Sequence, residues 1–315
     1  MSAARRPQVP FGGGRGRIHR QPYTGLPWSR GFTVYVPHGL RRTTRAPLLM
    51  ALHGCNQTAQ DFASITRFNQ LADRHQFIVV YPEQTLVNNG QRCWNWAQAQ
   101  NQTRYGGEPG SLAGIVQRMI ADRTRWRVDP TRIYAVGLSA GGTMAMTLGA
   151  TYPDLFAAVG VHSAPPFKSA SNSAHALSAM QGLRMPPQPQ APQAHAMPPT
   201  VVFHGTLDGT VWPKNAQRIA DQWLAHYQVS ANGRVRVGNP RAVRQPMVSP
   251  RTRTSRRGYS VRRWQAGRER VLELWLIEGL GHAWSGGVGD FAFSDRRGPR
   301  ASTEMWRFLS KHALP

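Results

Sequence analysis

Lysine, acidic residues and cysteine are all scarce in this chain of 315 residues. Lysine occurs only at Lys168, Lys214 and Lys311, so arginine supplies nearly all of a formal net charge of +24. No apolar run approaches the roughly 20 residues that a membrane helix needs, so no membrane span is expected. Two cysteines exclude a disulfide-rich scaffold, and neither a CxxC pair nor a histidine cluster indicates a metal site.

The excess of arginine is compatible with a polyanion, nucleic acid or an anionic membrane surface. The arginines are scattered along the chain rather than gathered on one helix face or stripe. We therefore interpret them mainly as a solvated basic surface, and nucleic acid is not the expected partner despite the charge.

The two cysteines and the N-terminus point to different compartments. A single bridge between Cys55 and Cys93 would imply an oxidising compartment, either extracellular or periplasmic. The first residues, MSAARRPQVPFGGGRGRIHRQ, carry charge but no apolar core of a secretory signal, which leaves a cytoplasmic location open.

Short apolar runs alternate with amphipathic stretches along most of the chain. Residues 1–30 are rich in Gly, Pro and Arg and predict a flexible basic segment, followed by a single domain over residues 31–315. The remaining pattern predicts a mostly parallel central sheet with helices on both faces, an α/β fold. Two stretches, near 163–199 and 229–263, are predicted surface insertions that could flank a substrate cleft. The runs typical of buried strands are 32–37, 47–54, 77–82, 132–137, 157–162, 200–205 and 271–277.

The strongest local signal is the pentapeptide G-L-S-A-G at residues 137–141, which follows a predicted strand and opens a predicted helix. A sharp strand-to-helix turn of this kind exposes a strained nucleophilic serine, here Ser139. The helix N-terminus adds partial positive charge where an oxyanion would develop. An ordinary turn with a capping serine is the alternative interpretation, which the strand and helix on either side disfavour.

A serine hydroxyl needs a base, and in this kind of fold the chain order is serine, acid, histidine. Asp208 follows the strand TVVFHG and His282 follows the strand VLELWLI, so both are expected at the same sheet edge as Ser139. Two backbone amides should stabilise the oxyanion. We expect them from Ala140 and Cys55, with Asn56 as the alternative to Cys55.

Aromatic residues next to these positions are candidates for substrate binding. The segment C-W-N-W-A places Trp94 and Trp96 two residues apart beside Cys93, while Trp212 and Trp284 follow the acid and the base. Packing in the core or at a rim is an equally good interpretation of all four. A Cys55–Cys93 disulfide would tie this aromatic loop to the loop that carries the Cys55 amide.

The chain resembles the poly(3-hydroxybutyrate) depolymerase-like esterase family, which shares the α/β-hydrolase fold with feruloyl and acetylxylan esterases. The resemblance covers roughly residues 30–315. It implies Ser139 as nucleophile, Asp208 as acid, His282 as base and a hydrophobic cleft for hydroxyalkanoate or aryl esters. The motifs that carry it are L-H-G-C-N-Q-T-A, Y-P-E-Q, C-W-N-W, G-G-E-P, R-I-Y-A-V-G-L-S-A-G-G, H-G-x-x-D-x-x-V and G-L-G-H-A-W-S-G-G.

The sequence therefore predicts a serine esterase of the α/β-hydrolase type that needs no metal or organic cofactor. The expected substrate is a polyhydroxyalkanoate or its oligomers, with feruloyl or acetylxylan esters as the alternative. An acyltransferase that uses the same triad, and a polyanion-binding protein on an inactive hydrolase scaffold, are the further alternatives. Departures from the family pattern are the segments near 184–199 and 234–263 and the lack of a recognisable signal or separate polymer-binding domain. Those two absences weaken the case for crystalline extracellular polymer as substrate.

Overall fold

The computed structural model describes residues 11–25, 28–41, 43–185, 197–229, 241–244, 257–289 and 291–315. These residues form strands and helices that alternate over most of the chain. In chain order they are β1 (Arg17–Tyr23), β2 (Arg30–Val36), β3 (Ala46–Leu52), α1 (Ala59–Thr66), α2 (Phe68–His75), β4 (Ile78–Pro82), α3 (Gly107–Ala121), β5 (Val128–Leu138), α4 (Ala140–Thr151), β6 (Ala158–His162), α5 (Ser173–Met180), β7 (Thr200–Gly205), α6 (Lys214–Val229), β8 (Arg241–Arg244), β9 (Tyr259–Ala266), β10 (Glu269–Ile277), β11 (Trp284–Ser285), β12 (Ser294–Asp295) and α7 (Ala301–Leu309).

The described strands form one large sheet and a short two-stranded pair, β11 with β12. The large sheet has the order β1-β2-β4-β3-β5-β6-β7-β10-β9-β8. Its central part, from β4 to β10, is parallel, and the strands at both ends run antiparallel to their neighbours. The predicted fold, a mostly parallel sheet of the α/β-hydrolase type, is confirmed.

The central strands are buried on both faces, as their continuous apolar runs predict. Along β3, Leu48 and Met50 pack into a core that includes residues of α3, α4 and α6. The alternate residues Leu49 and Ala51 pack into a second core that includes residues of α1, α2 and α7. The helices therefore cover both faces of the sheet. No described helix has the length and apolar character that crossing a bilayer requires.

The segment predicted to be flexible contains a strand. Residues Arg17–Tyr23 form β1, which pairs with β2 along its whole length. Before it, the Phe11 ring packs edge-on against Tyr81 with centroids 5.3 Å apart, and the Gly16 amide donates to the Tyr35 hydroxyl at 2.7 Å. The expectation of flexibility is therefore wrong for residues 11–25, whereas residues 1–10 lie outside the described part. Arginine and Pro22 hide this strand, because charged residues and proline are tolerated at a sheet edge.

Part of the predicted insertion near 229–263 also belongs to the sheet. Strand β9 starts at Tyr259 and pairs antiparallel with β10, and β8 pairs with β9. These strands lie at the other sheet edge, where an arginine-rich sequence is compatible with pairing. Residues 230–240 and 245–256 of this segment, and 186–196 of the segment near 163–199, lie outside the described residues. The division of the chain into one domain with insertions stays a prediction.

Candidate active site

Three of the predicted residues follow the carboxyl ends of neighbouring parallel strands. Ser139 comes directly after β5, Asp208 follows β7, and His282 follows β10. Ser139 and His282 both line one cavity of about 440 Å³, which we call the apolar cavity. Asp208 lies behind His282, with 2 % of its surface exposed. The structure therefore brings together the three residue types that the sequence pattern selected.

Ser139 sits in a strained turn between β5 and α4. Its φ and ψ are 56° and −123°, a conformation that non-glycine residues rarely adopt. The flanking glycines allow the turn because backbone packs where their side chains would be. A Cβ on Gly137 would lie 2.2 Å from the carbonyl carbon of Gly141, and a Cβ on Gly141 would lie 2.3 Å from the Leu52 oxygen. The Ser139 amide donates to the His162 oxygen at 2.9 Å, which holds the turn against β6.

Asp208 and His282 form a hydrogen-bonded pair. The Nδ1 atom of His282 lies 2.9 Å from Oδ2 of Asp208. The other carboxylate oxygen accepts from the amides of Thr210 and Val211 at 3.0 and 2.8 Å. Burial raises the pKa of Asp208, but the hydrogen bond and charge of His282 and the other donors outweigh it, so the pKa lies below its usual range. An ionised Asp208 keeps the proton of His282 on Nδ1 and leaves Nε2 as the basic nitrogen.

No hydrogen bond joins the Ser139 hydroxyl to the His282 ring among the described residues. Hydrogen bonds between nucleophile and base are often long without substrate and tighten when it binds. Both side chains face the same cavity, so the arrangement is compatible with a serine–histidine pair.

Three backbone amides near Ser139 are candidates for the oxyanion, and their hydrogen bonds differ. Asn56, the alternative candidate, already donates its amide to the Gln91 oxygen at 2.7 Å. The Cys55 amide has no acceptor among the described residues, and Cys55 lines the cavity. Ala140 is the first residue of α4, where an amide has no partner in a preceding turn. Cys55 and Ala140 therefore remain the candidate pair for the oxyanion, and Asn56 does not.

A disulfide joins the two loops that carry these features. Cys55 and Cys93 are bonded, with their Cα atoms 4.2 Å apart. The Trp94 indole donates to the His53 oxygen at 2.9 Å, a second tie between the same loops. His53 itself donates from Nδ1 to the Gly54 oxygen at 2.8 Å and accepts at Nε2 from the Gln84 amide at 3.1 Å. Burial lowers the pKa of His53 to about 4, so His53 is neutral and its two hydrogen bonds orient the loop.

Beneath the aromatic loop lies a buried polar network that the sequence pattern did not single out. Glu108 is fully buried and accepts from the Asn95 amide at 2.7 Å and its side chain at 3.0 Å. Gln84 donates to Glu108 at 2.5 Å and to the Cys93 oxygen at 2.9 Å. The buried guanidinium of Arg30 donates to Gln84 at 3.3 Å and lies 4.0 Å from Glu108. The motifs Y-P-E-Q, C-W-N-W and G-G-E-P therefore meet in this network.

The four candidate tryptophans have different positions. Trp94 and Trp96 line the apolar cavity, although both are largely buried. Trp212 is 41 % exposed and lies beside the cavity residue Val211, under the Lys214 ammonium, but does not line the cavity itself.

Trp284 does not have the surface position that a substrate-binding role requires. It is fully buried, packs edge-on against Phe62 and Phe68, and donates to the Ser302 hydroxyl. The substrate-binding prediction for Trp284 is therefore corrected: its ring belongs to the core.

Phe293 and helix α5 form two further parts of the cavity lining, of which Phe293 was not predicted. Phe293 lines it, and its ring lies edge-on to the His282 ring with centroids 6.2 Å apart. Helix α5 contributes Ala176 and Met180 from the segment near 163–199, so this predicted insertion does flank the cavity. The spacing of α5 is weakly amphipathic, and no local signal separates Phe293 from an ordinary surface aromatic.

His162 and His204 are buried histidines whose rings are held by hydrogen bonds. His162 accepts at Nε2 from the Ser285 amide at 3.1 Å and contacts the Ser163 hydroxyl at 3.0 Å. His204 donates from Nε2 to the Val211 oxygen at 2.8 Å. Burial lowers the pKa of both rings, so they are neutral. Within the described residues, no group of histidine, cysteine and acidic side chains could hold a metal ion.

Comparison with known proteins is consistent with this geometry. The family described as “Esterase PHB depolymerase” matches residues 30–246. The chain is 34 % identical over 204 residues to poly(3-hydroxyalkanoate) depolymerase C of Paucimonas lemoignei, a match that covers 62 % of this chain and 48 % of the relative. It is 32 % identical over 212 residues to acetylxylan esterase A of Emericella nidulans, covering 62 % and 67 % of the two chains.

A solved structure shares the fold over nearly all of its length. The acetyl xylan esterase from Aspergillus awamori superposes with a TM-score of 0.69 at 20 % identity, covering 93 % of this chain and 99 % of that one. The chain spans about half the length of the depolymerase from Paucimonas lemoignei.

Proposed function

Because this chain belongs to the esterase PHB depolymerase family, we propose that it hydrolyses carboxylic esters with Ser139 as the nucleophile. The observation that carries the proposal is the hydrogen-bonded Asp208–His282 pair, which shares a cavity edge with a serine held in a strained strand-to-helix turn. A serine that only caps a helix, or side chains that only pack in the core, would not require a strained backbone at the serine together with a base and a buried acid.

The chemistry follows from the donors and acceptors around the cavity. Nε2 of His282 takes the proton of the Ser139 hydroxyl as its oxygen attacks the ester carbonyl. The amides of Cys55 and Ala140 stabilise the tetrahedral oxyanion. His282 then gives the proton to the leaving alcohol, and water repeats the sequence to release the acid and regenerate Ser139. Asp208 stabilises the imidazolium that forms twice in each cycle. No step requires a metal or an organic cofactor.

The cavity lining favours a neutral, partly apolar ester. Its described lining residues include no Asp, Glu, Lys or Arg, so a charged acyl group would lose water without gaining an ion pair from them. A volume of about 440 Å³ falls in the usual range for small-molecule sites. We propose hydroxyalkanoate oligomers as the first substrate class, with the acyl chain between the Trp94 loop and α5.

A second candidate is the acetyl or feruloyl ester of a plant polysaccharide. Side-chain amides of Asn89, Gln91 and Gln98 lie on the lining, where they could hydrogen-bond sugar hydroxyls. Relatives that are named acetylxylan esterase, such as that of Emericella nidulans, support this alternative.

The proposal is tested by hydrolysis of short p-nitrophenyl esters by the wild-type protein, Ser139→Ala and the control Ser64→Ala, which changes a half-buried serine of α1 that does not line the apolar cavity. We expect Ser139→Ala to lower kcat by at least about 10³-fold, because removal of the nucleophile leaves only binding and oxyanion stabilisation. Ser64→Ala should retain wild-type rates. Equal hydrolysis by Ser139→Ala and wild type would contradict the assignment.

The natural ester is identified in a second series. Hydroxybutyrate trimer, acetylated xylan and methyl ferulate are compared by kcat/KM, and the ratio decides between the two substrate classes. Product analysis with added methanol separates hydrolysis from acyl transfer: acid as the main product supports a hydrolase, and methyl ester as the main product indicates an acyltransferase.

A further inference from the structure

A second cavity lies near the start of α7. It has a volume of about 760 Å³ and shares no lining residue with the apolar cavity. Nothing in the esterase proposal uses it. We call it the arginine cavity, because five of its lining residues are Arg67, Arg257, Arg296, Arg297 and Arg300.

The positive charge of the arginine cavity is only partly neutralised by the described residues. Glu304 is the single acid in the described lining, and its carboxylate already pairs with Arg307 outside that lining. Asp295 lies between Arg257 and Arg297, with ion pairs of 2.9 and 3.3 Å. Arg67 and Arg300 pair with no described carboxylate. Two guanidinium groups at the cavity are therefore left with their donors available.

Glycine-rich backbone lies directly against two of the arginines, Arg296 and Arg300. Gly286, Gly287 and Gly289 line the cavity, and the loop comes so close that a Cβ on Gly286 would lie 2.5 Å from the Arg300 Cα. Helix α7 starts one residue after Arg300, so its first amides lie at the same place. A helix N-terminus attracts anions through its free amides and partial positive charge. At the arginine cavity, the partial positive charge of the α7 N-terminus adds to the charge of the guanidinium groups.

At another surface depression, two arginines already contact other parts of the chain. A depression of about 170 Å³ is lined by Arg125 and Arg127, among others. Arg125 stacks on Trp126 and donates to Gln21, and Arg127 donates to the Thr43 oxygen. Those two guanidinium groups serve the fold, whereas Arg17 and Arg41, which also line the depression, have no described side-chain partner. The arginine cavity differs in its volume of about 760 Å³ and in its five lining arginines.

We propose that the arginine cavity binds a multivalent phosphate group, in a condensed phosphate or a phosphate ester. Planar guanidinium forks donate in pairs to phosphate oxygens, and these charge-assisted hydrogen bonds are stronger than neutral ones. Asp295 holds Arg257 and Arg297 in place, and Arg67 and Arg300 supply the open donors. The site is independent of ester hydrolysis, because none of its residues lines the apolar cavity.

Isothermal titration calorimetry at fixed ionic strength tests the site, with inorganic diphosphate as the probe and sodium citrate as the carboxylate control. The key variant is Arg67→Gln/Arg300→Gln. Its matched control is Arg20→Gln/Arg268→Gln, which removes the same charge from two exposed positions outside the cavity. We expect the key variant to bind diphosphate at least about tenfold more weakly than wild type, because two charge-assisted donors are lost, and the control to match wild type.

Three results would overturn the proposal. If the heats of injection for diphosphate are no larger than those for sodium chloride, the site does not exist. Equal weakening in both variants would show that net charge alone attracts the anion. Citrate binding as tight as that of diphosphate would exclude phosphate selectivity. Unfolding temperatures of the variants within about 2 °C of wild type establish that lost binding is not lost folding.

Inorganic triphosphate and a short single-stranded oligonucleotide carry the same phosphate chemistry, so they are titrated in parallel. Tighter binding of triphosphate that is lost in the key variant assigns a condensed phosphate or small phosphate ester. Tighter binding of the oligonucleotide that the control variant weakens equally would overturn the cavity as the binding site.

Discussion

The apolar cavity and the arginine cavity lie next to the same stretch of chain but use opposite chemistry. The segment from His282 to Arg300 gives His282 and Phe293 to the first, and Gly286, Arg297 and Arg300 to the second. Among the residues that the structure describes, the lining of the first includes no Asp, Glu, Lys or Arg, whereas five arginines line the second. One loop therefore separates a site suited to neutral esters from a site suited to anions.

The two cavities also differ in how their polar groups are held. Behind the apolar cavity, Asp208, Glu108 and His53 are buried and satisfied by several hydrogen bonds each. At the arginine cavity, the Arg297 side chain is 55 % exposed and its ion pair is open to water. Burial holds polar side chains in fixed orientations, which catalysis requires. The removal of these groups from water costs free energy. Exposure keeps charge available for a ligand but contributes little to stability.

Asp208→Asn should separate the two cavities most clearly. The amide cannot stabilise a charged His282 and favours the wrong tautomer, so we expect kcat for p-nitrophenyl esters to fall by roughly 10²–10⁴-fold. Diphosphate binding should be unchanged, because Asp208 does not line the arginine cavity. Stopped-flow hydrolysis and calorimetry on the same preparation measure both. A kcat within a factor of three of wild type would remove Asp208 from the catalytic assignment.

Glu108→Gln should destabilise the buried polar network beneath the aromatic loop of the apolar cavity. Loss of the carboxylate leaves Arg30 as a buried, unpaired cation, which we expect to lower the free energy of unfolding by about 3–5 kcal/mol. KM for p-nitrophenyl butyrate should rise as well, because Asn95 and the tryptophan loop lose an anchor. Urea denaturation and steady-state kinetics provide the two measurements.

The double variant Arg30→Met/Glu108→Gln distinguishes an unpaired charge from a general packing defect. Removal of both charges should restore a large part of the lost stability. If the double variant is less stable than Glu108→Gln, then Arg30 stabilises the fold independently of Glu108, and the ion-pair account fails.

Mild acid should lower the free energy of unfolding through buried histidines that lie near the apolar cavity. His53, His162 and His204 are buried and neutral in the folded chain, and none of them lines the arginine cavity. The pKa of His53 is about 4 when folded, against an ordinary value of 6.5. Between these values the unfolded chain binds more protons, so stability falls as the pH is lowered from about 6.5 to about 4, by roughly 3 kcal/mol for His53 alone.

Urea unfolding at pH 7.0 and pH 4.5 measures this loss, with His53→Gln as the comparison. Glutamine keeps a donor and an acceptor but does not titrate, so the pH dependence of its unfolding free energy should be smaller than that of wild type. An equal pH dependence in both proteins would show that the charging of His53 does not contribute.

Local patterns were sufficient for the central fold and for the approximate position of the candidate site. The parallel strands are continuous apolar runs because both of their faces are buried, and such runs can be recognised in any sequence. Ser139, Asp208 and His282 each follow one of these runs, and parallel strands end at a common edge. Their order and positions therefore predicted that they meet, although their catalytic roles stay proposals.

The same local patterns did not predict the strands near the edges of the sheet or which tryptophan side chains are exposed. Strand β1, at one edge of the sheet, contains arginine and proline because an edge strand needs no continuous apolar face, and β9, next to the edge strand β8, also contains arginine. Trp94 and Trp284 stand in equally suggestive sequence contexts, yet one lines the cavity and the other is core. The difference depends on which distant side chains, here Phe62 and Phe68, pack on the ring.

The sequence by itself determined the order of the central strands and helices, the turn at Ser139 and the presence of a large arginine excess. Only the tertiary structure decided that Arg67, Arg257 and Arg300 share one cavity, that Glu108 supports the tryptophan loop, and that Phe293 faces His282. Periodicity and turn chemistry act between near neighbours, so they can be read along the chain. Contacts between residues far apart in sequence exist only after the whole core has packed, because that packing fixes which side chains remain exposed.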